Sequence, residues 1–301
     1  MSPSPLSFDY LDFVLPAFVR IAWTSDTARQ IWLPRFQAVI RACVKTELMA
    51  SAFGVRKCAL MLISDKDLPE LEPFWQSRGL TALKLKLQPG TTLPAPSQYA
   101  VGSAQDVKTF EEACNTQNPD YIGELLGYPA CCRDSFQKHC IAEKLLDPIF
   151  TMADTGLHSS NAKPVFEVSG PIFTNVFWKP IGIRAVPHLP CRFDCDATCS
   201  WGQSFLQATA ELGFHDELSW LRQILSWPAE WSALHGIAEI KTPILKISTR
   251  TDATSHKLVV RRLGDHYPAE GAQGLCFPYQ TPQNTMTESP AFQRGLRQIE
   301  T

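Results

Sequence analysis

The sequence lacks a bias of charge. Lysine and arginine number 28 against 30 aspartates and glutamates, for a formal net charge of -2 over 301 residues. Nothing in that balance captures nucleic acid or an anionic membrane surface. Long apolar runs are also missing. The N-terminal stretch is apolar in part, but it has no basic start, carries Asp9, Asp12 and Arg20, and is interrupted by Pro16. That speaks against a signal peptide and against a membrane span, and the expectation is a cytoplasmic protein. Several catalytic landmarks are absent. There is no glycine-rich phosphate loop, no Gly-x-Ser-x-Gly elbow and no His-Glu-x-x-His pair, which removes the common forms of nucleotide, serine-hydrolase and metalloprotease chemistry.

What the chain does have is cysteine in clusters. Of its ten cysteines, six fall in two stretches. LLGYPACCRDSFQKHC holds Cys131, Cys132 and Cys140 with His139. PHLPCRFDCDATCSWGQS holds Cys191, Cys195 and Cys199 with His188. In a reducing compartment such groups are ligands or catalytic thiols rather than disulfides. Cys43, Cys58 and Cys114 stand alone within apolar patterns and read as core residues. Cys276 has no assigned role.

Hydrophobic residues make up 45% of the chain and charged residues 19%, the composition of a well-buried globular protein. The pattern predicts an α+β (mixed α/β) fold. Helical spacing is read over 10–23 and 26–50, a buried strand over 58–64, a helix ended by Gly79, and a strand over 80–87. This strand–helix–strand order suggests an α/β unit. The Pro- and Gly-rich QPGTTLPAPSQ (88–98) reads as a loop and the best domain boundary. The division is then 1–95 as an N-terminal α/β portion, 96–280 as a cysteine-motif domain and 281–301 as a polar tail. Further helices are expected after Ser103 or Asp106, from Asn118-Pro119 to Gly127, and from Pro129. Strands are expected within 161–170 and 182–186. A helix from Cys195, capped by Asp194 or Asp196, is followed by another over 216–227, then by strands over 236–248 and 256–263.

Both cysteine groups therefore sit at predicted helix starts, where free N–H groups and the helix dipole favour the thiolate. Adjacent cysteines point in different directions, so one of Cys131 and Cys132 is expected to reach a given metal. Cys191-x3-Cys195 supplies two more ligands. The four-thiolate zinc pattern of two short Cys-x2–4-Cys hooks fits only loosely. The Cys-x3-Cys-x2-Cys of radical enzymes fails, because Thr198 stands at the third position. An iron–sulfur cluster tolerates widely separated ligands, and three thiolates would leave one iron open to a small-molecule substrate. The preferred metal ligands are Cys132, Cys191 and Cys195, with Cys131 and His188 in reserve. Zinc in a binding protein, or a metal-free cysteine–histidine enzyme with His188 as base, are the alternatives. Arg184 is a candidate for holding an anionic substrate. Cys140, Cys199 and His139 also have ordinary readings as helix-face residues. Phe177, Trp178, Trp201 and Phe205 read as core. The charges Glu239, Lys241 and Lys246 read as the solvent face of a strand.

Gly-Tyr-Pro-x-Cys-Cys (Gly127 to Cys132, followed by Phe136) with His-x-Pro-Cys-x-Phe-x-Cys (His188 to Cys195) resembles a family of uncharacterised bacterial and archaeal proteins that pairs these two motifs. The likeness spans roughly residues 118–205. It implies a shared site built from both motifs, and it favours Cys191 and Cys195 over Cys199, whose position in the family pattern holds a small polar residue.

Overall fold

The computed structural model describes residues 16, 18–63, 68–85, 97–153, 165–264 and 267–271. Among the described residues the fold is α+β, with two sheets. β1 (Arg20–Trp23) leads into α1 (Asp26–Met49), which Ser25 caps by accepting the Ala28 N–H at 3.0 Å. β2 (Cys58–Ile63), α2 (Leu68–Gln76), β3 (Thr81–Lys84) and β4 (Ser97–Gly102) follow. Next come α3 (Ala104–Asn115), α4 (Pro119–Leu125), α5 (Ala130–Phe136), a π-helix over Gln137–Ala142, and α6 (Ile149–Ala153). After β5 (Val165–Val168), α7 (Asp196–Glu211) and α8 (His215–Ser226) precede β6 (Ala229–Leu234), β7 (Ile237–Lys241), β8 (Leu245–Arg250) and β9 (Leu258–Arg262).

The smaller sheet has the order β2-β4-β3, with both outer strands antiparallel to β4. The strand–helix–strand unit is thus split, its two strands held apart by a third from later in the chain. The expected boundary at 95/96 falls between β3 and β4, two strands hydrogen-bonded to each other. The loop reading of 88–98 missed β4, since 97 and 98 are already strand; residues 86–96 lie outside the described residues. The apolar run of β2 is buried along one face and, on the other, at Cys58 and in part at Leu60, while Leu62 is exposed. Ala59, Met61 and Ile63 pack with Leu48 and Met49 of α1 and with Leu71 and Trp75 of α2. On the other face Cys58 packs with Val107 and Phe110 of α3.

The larger sheet has the order β1-β8-β7-β6-β9-β5, antiparallel except for β5 against β9. Its core brings Ile240, Ile247 and Trp231 together with Trp32 and Phe36 of α1 and with Leu221 and Leu225 of α8. β6 and β7 form a hairpin closed by His235 and Gly236, both at positive φ (52° and 83°), the pairing that suits the twist of two strands.

Two expectations are corrected. The helix over 10–23 gives way at Arg20–Trp23, which pairs with β8 as a strand; residues 1–15 lie outside the described residues. The stretch 182–186 is buried but is not a strand. Its groups are used one at a time: the Gly182 carbonyl accepts from Arg184 and the Arg184 carbonyl from the Cys43 thiol. Among the described residues no helix is long and apolar enough to cross a membrane.

Candidate metal centre

α4 stops at Gly127, whose φ of +78° suits glycine. A Cβ there would stand 3.0 Å from the Arg56 Cβ and 3.2 Å from the Trp201 Nε1. The turn delivers Tyr128 and Pro129, and Pro129 caps α5. Cys131 and Cys132 are then the second and third residues of that helix. Cys132 is buried and Cys131 is exposed.

The second motif arrives in an irregular loop. Lys179 fixes its start, donating from Nζ to the carbonyls of Pro187 and His188, each at 2.7 Å. Gly170 lies so close to the loop that a Cβ would meet the Phe193 oxygen at 1.9 Å. Cys195 ends the loop and is itself the cap of α7, accepting the Thr198 N–H at 3.4 Å. The expected aspartate cap is therefore replaced by a thiol; Asp194 instead pairs with Arg192 at the surface, at 3.1 Å.

The two motifs meet. The sulfurs of Cys131, Cys132, Cys191 and Cys195 all lie within 4.8 Å of one another. Cys132 to Cys195 is 3.7 Å, Cys131 to Cys195 is 3.8 Å and Cys131 to Cys132 is 3.9 Å. These four residues can hold a metal ion. The reading that only one of the adjacent pair reaches the site is corrected: at a helix start both side chains turn toward the incoming loop. Cys140 and Cys199 are not members of the group. Cys43 and Cys58 are core residues and Cys114 is half-buried.

Four thiols this close resist ionising together. Burial pushes Cys132 up to about 12, against the pull of the Thr198 hydroxyl. Burial and the neighbouring sulfurs raise Cys191 as well. Burial also opposes ionisation of Cys195, but hydrogen bonds from the Thr198 side chain and backbone, and then from Cys191 and Cys132, bring it down to about 7. A cation among the sulfurs removes the conflict by stabilising every thiolate at once.

His188 is not in the sulfur group. Its Nε2 lies 2.9 Å from the Thr198 hydroxyl, which lies 3.3 Å from the Cys132 sulfur. Burial, assisted by the charge of Lys179, takes its pKa down to about 3, so the ring is neutral. It packs between Tyr128 and Trp201, with centroids at 5.2 Å and 5.1 Å. Among the described residues its Nδ1 has no hydrogen-bond partner. Arg184 is not in the sulfur group; it is bonded through Nε to Glu47 at 2.6 Å. Phe177, Trp178 and Phe205 are core residues, whereas Trp201 is half-buried and donates from Nε1 to the Val55 carbonyl at 3.2 Å. His139 pairs with Glu143 at 2.7 Å, and Lys246 with Glu239 at 2.9 Å on an open strand face. Sequence reasoning missed Thr198 and Lys179. The signal for Thr198 was its place three residues after a capping residue, where a helix turns its side chain back on its own start.

Beside the cluster lies a cavity of about 360 Å³, lined among others by Ile122, Tyr128, Cys132, Arg133, Gln137 and His188.

A scan of protein-family models and searches of curated proteins and of solved structures return no match to this chain.

Proposed function

We propose that the chain is a zinc protein. Cys131, Cys132, Cys191 and Cys195 bind one ion as four thiolates, and the ion holds the start of α5 against the 187–195 loop to shape the wall of the adjacent cavity. The observation that carries this reading is the sulfur spacing. An ion about 2.3 Å from each of four sulfurs sets a tetrahedron whose edges are about 3.8 Å. The three sulfur pairs among Cys131, Cys132 and Cys195 stand 3.7, 3.8 and 3.9 Å apart, and the Cys191 sulfur lies within 4.8 Å of each. Four protein ligands leave no open coordination position, the mark of a structural zinc site rather than a catalytic one.

An iron–sulfur cluster, the expectation from the motif spacing, is the rival occupant. A cubane takes its cysteines on separate irons, so they must stand wider than the edge of one tetrahedron. To admit it, α5 and the loop would have to part. Metal and acid-labile sulfide analysis of protein purified without oxygen, with iron supplied during growth, tests the two against each other. The expected result is a colourless protein with one zinc per chain and no sulfide. A brown protein with iron and sulfide in similar amounts overturns the zinc reading in favour of an iron–sulfur enzyme. A protein with no bound metal overturns both.

A further inference from the structure

The cavity beside the cysteines is built from three segments. α4 and the turn after it supply Ile122 and Tyr128, α5 and the π-helix supply Arg133 and Gln137, and the loop of the second motif supplies His188. Its volume, about 360 Å³, lies within the range of small-molecule sites. The π-helix at its rim carries one extra residue per turn, an irregularity that concentrates at functional positions.

Most of the lining is apolar, and its one cation is engaged. Arg133 donates from Nε to Asp120 at 2.8 Å and from a terminal nitrogen to the Tyr128 carbonyl at 3.1 Å. Four metal-bound thiolates, Cys132 among them, would add negative charge to this side of the cavity. Neither feature recruits an anion.

His188 sets the polar demand. A metal-bound Cys132 thiolate accepts hydrogen bonds and donates none, so the Thr198 hydroxyl donates to it across 3.3 Å. The Thr198 oxygen then accepts from the His188 Nε2–H at 2.9 Å. A neutral ring protonated on Nε2 has a bare lone pair on Nδ1, and that buried atom has no partner. Leaving a buried acceptor unpaired is costly, and His188 is one of the residues that line the cavity.

We propose that this cavity binds a small, uncharged, mostly apolar molecule that carries one hydrogen-bond donor, a hydroxyl or an N–H, and presents it to His188 Nδ1. Nδ1 is shut off from solvent in the unliganded chain, so binding requires the ring to turn and bring Nδ1 to the cavity. The inference rests on the zinc reading, because the thiolate fixes the ring's tautomer and the ion holds the loop that carries His188.

The test uses the purified full chain and N-phenyl-1-naphthylamine, an uncharged fluorophore with an N–H donor that brightens in apolar surroundings. The expected result is saturable binding of one probe per chain. Gln137→Trp, which fills the cavity from the π-helix, weakens it by about tenfold or more with metal content unchanged. Ile122→Trp does the same from the opposite wall if the first variant does not fold. In the parent, 1-naphthol displaces the probe at about tenfold lower concentration than naphthalene, and in His188→Leu the two compete alike. No saturable binding, or equal binding by the filled variants, overturns the site. Equal competition by 1-naphthol and naphthalene in the parent overturns the role given to His188. Tighter binding of the anionic 8-anilinonaphthalene-1-sulfonate overturns the uncharged class. Metal analysis of the same samples separates the two readings: a zinc-free chain whose probe binding still responds to Gln137→Trp sinks the zinc reading alone.

Discussion

Thr198→Val is the substitution that most directly probes how the site is held together. Thr198 is fully buried, and its hydroxyl is shared by His188 and Cys132. Valine keeps the shape and removes the oxygen. His188 Nε2 then loses its partner in a ring whose Nδ1 already has none, and a buried donor left unsatisfied costs about 1–3 kcal/mol. The Cys132 thiolate loses a donor as well, and loss of such a supporting bond lowers metal affinity by roughly 10–100-fold. Both are measurable, the first by urea unfolding of metal-loaded protein and the second by competition with a chromophoric chelator. His188→Leu completes a cycle. It removes the donor along with its acceptor, so in the double variant the stability cost of Thr198→Val should shrink by about 0.5–3 kcal/mol. Parent-like stability and metal affinity in Thr198→Val, or strict additivity in the double variant, would refute the chain of hydrogen bonds from ring to hydroxyl to thiolate.

Two further outcomes are expected. Cys43→Ala and Cys58→Ala should retain metal and lose about 1 kcal/mol or somewhat more of packing stability, whereas Cys132→Ser and Cys195→Ser should lose the metal; metal analysis beside unfolding curves decides, and metal loss in either core variant would show the ligand set to be wrong. Burial takes the Lys179 pKa from its ordinary 10.5 down to about 7, so between those values the folded chain binds fewer protons than the unfolded chain and this residue makes stability rise with pH. The urea midpoint of the parent should therefore climb above about pH 7 more steeply than that of Lys179→Met, and parallel profiles would rule the effect out.

The cysteine centre was legible because its parts are local. Each motif announces itself within a dozen residues, and neither carries enough ligands alone, which is reason to expect them together. The choice between Cys131 and Cys132 was not legible. It depends on where α5 begins and on the direction from which the loop arrives, and sequence spacing carries neither. Cys195 as a helix cap was hidden for a different reason: the aspartates on both sides are better caps by propensity, and the sulfur takes the position because the site needs it there. Of the fold, α1 followed from periodicity, α3 and α4 from their capping residues and α8 from the proline after it, while the strand-like stretch 236–248 is two paired strands, β7 and β8. β1 did not, since its four residues are held by β8, more than two hundred positions away. β4 was masked by the proline-rich stretch before it. β6 was missed although Ala229, Trp231 and Ala233 alternate with Glu230 and Ser232, because the short run has no β-branched residue.

The pairing of β1 with β8 also has a consequence for synthesis. Trp23 pairs with Leu245 and Arg20 with Ser248, so the first strand of the larger sheet has no partner until nearly the whole described chain has been made. At about 5–20 residues per second, that wait on the ribosome lasts roughly 10–50 s. The smaller sheet is complete by Gly102 and has helices on both faces soon after. Cys131 and Cys132 emerge next and wait a shorter time for Cys191 and Cys195. The order of emergence is therefore small sheet, metal centre, large sheet. An ion captured at the second stage would join α5 to the start of α7 before the strands that close the fold exist.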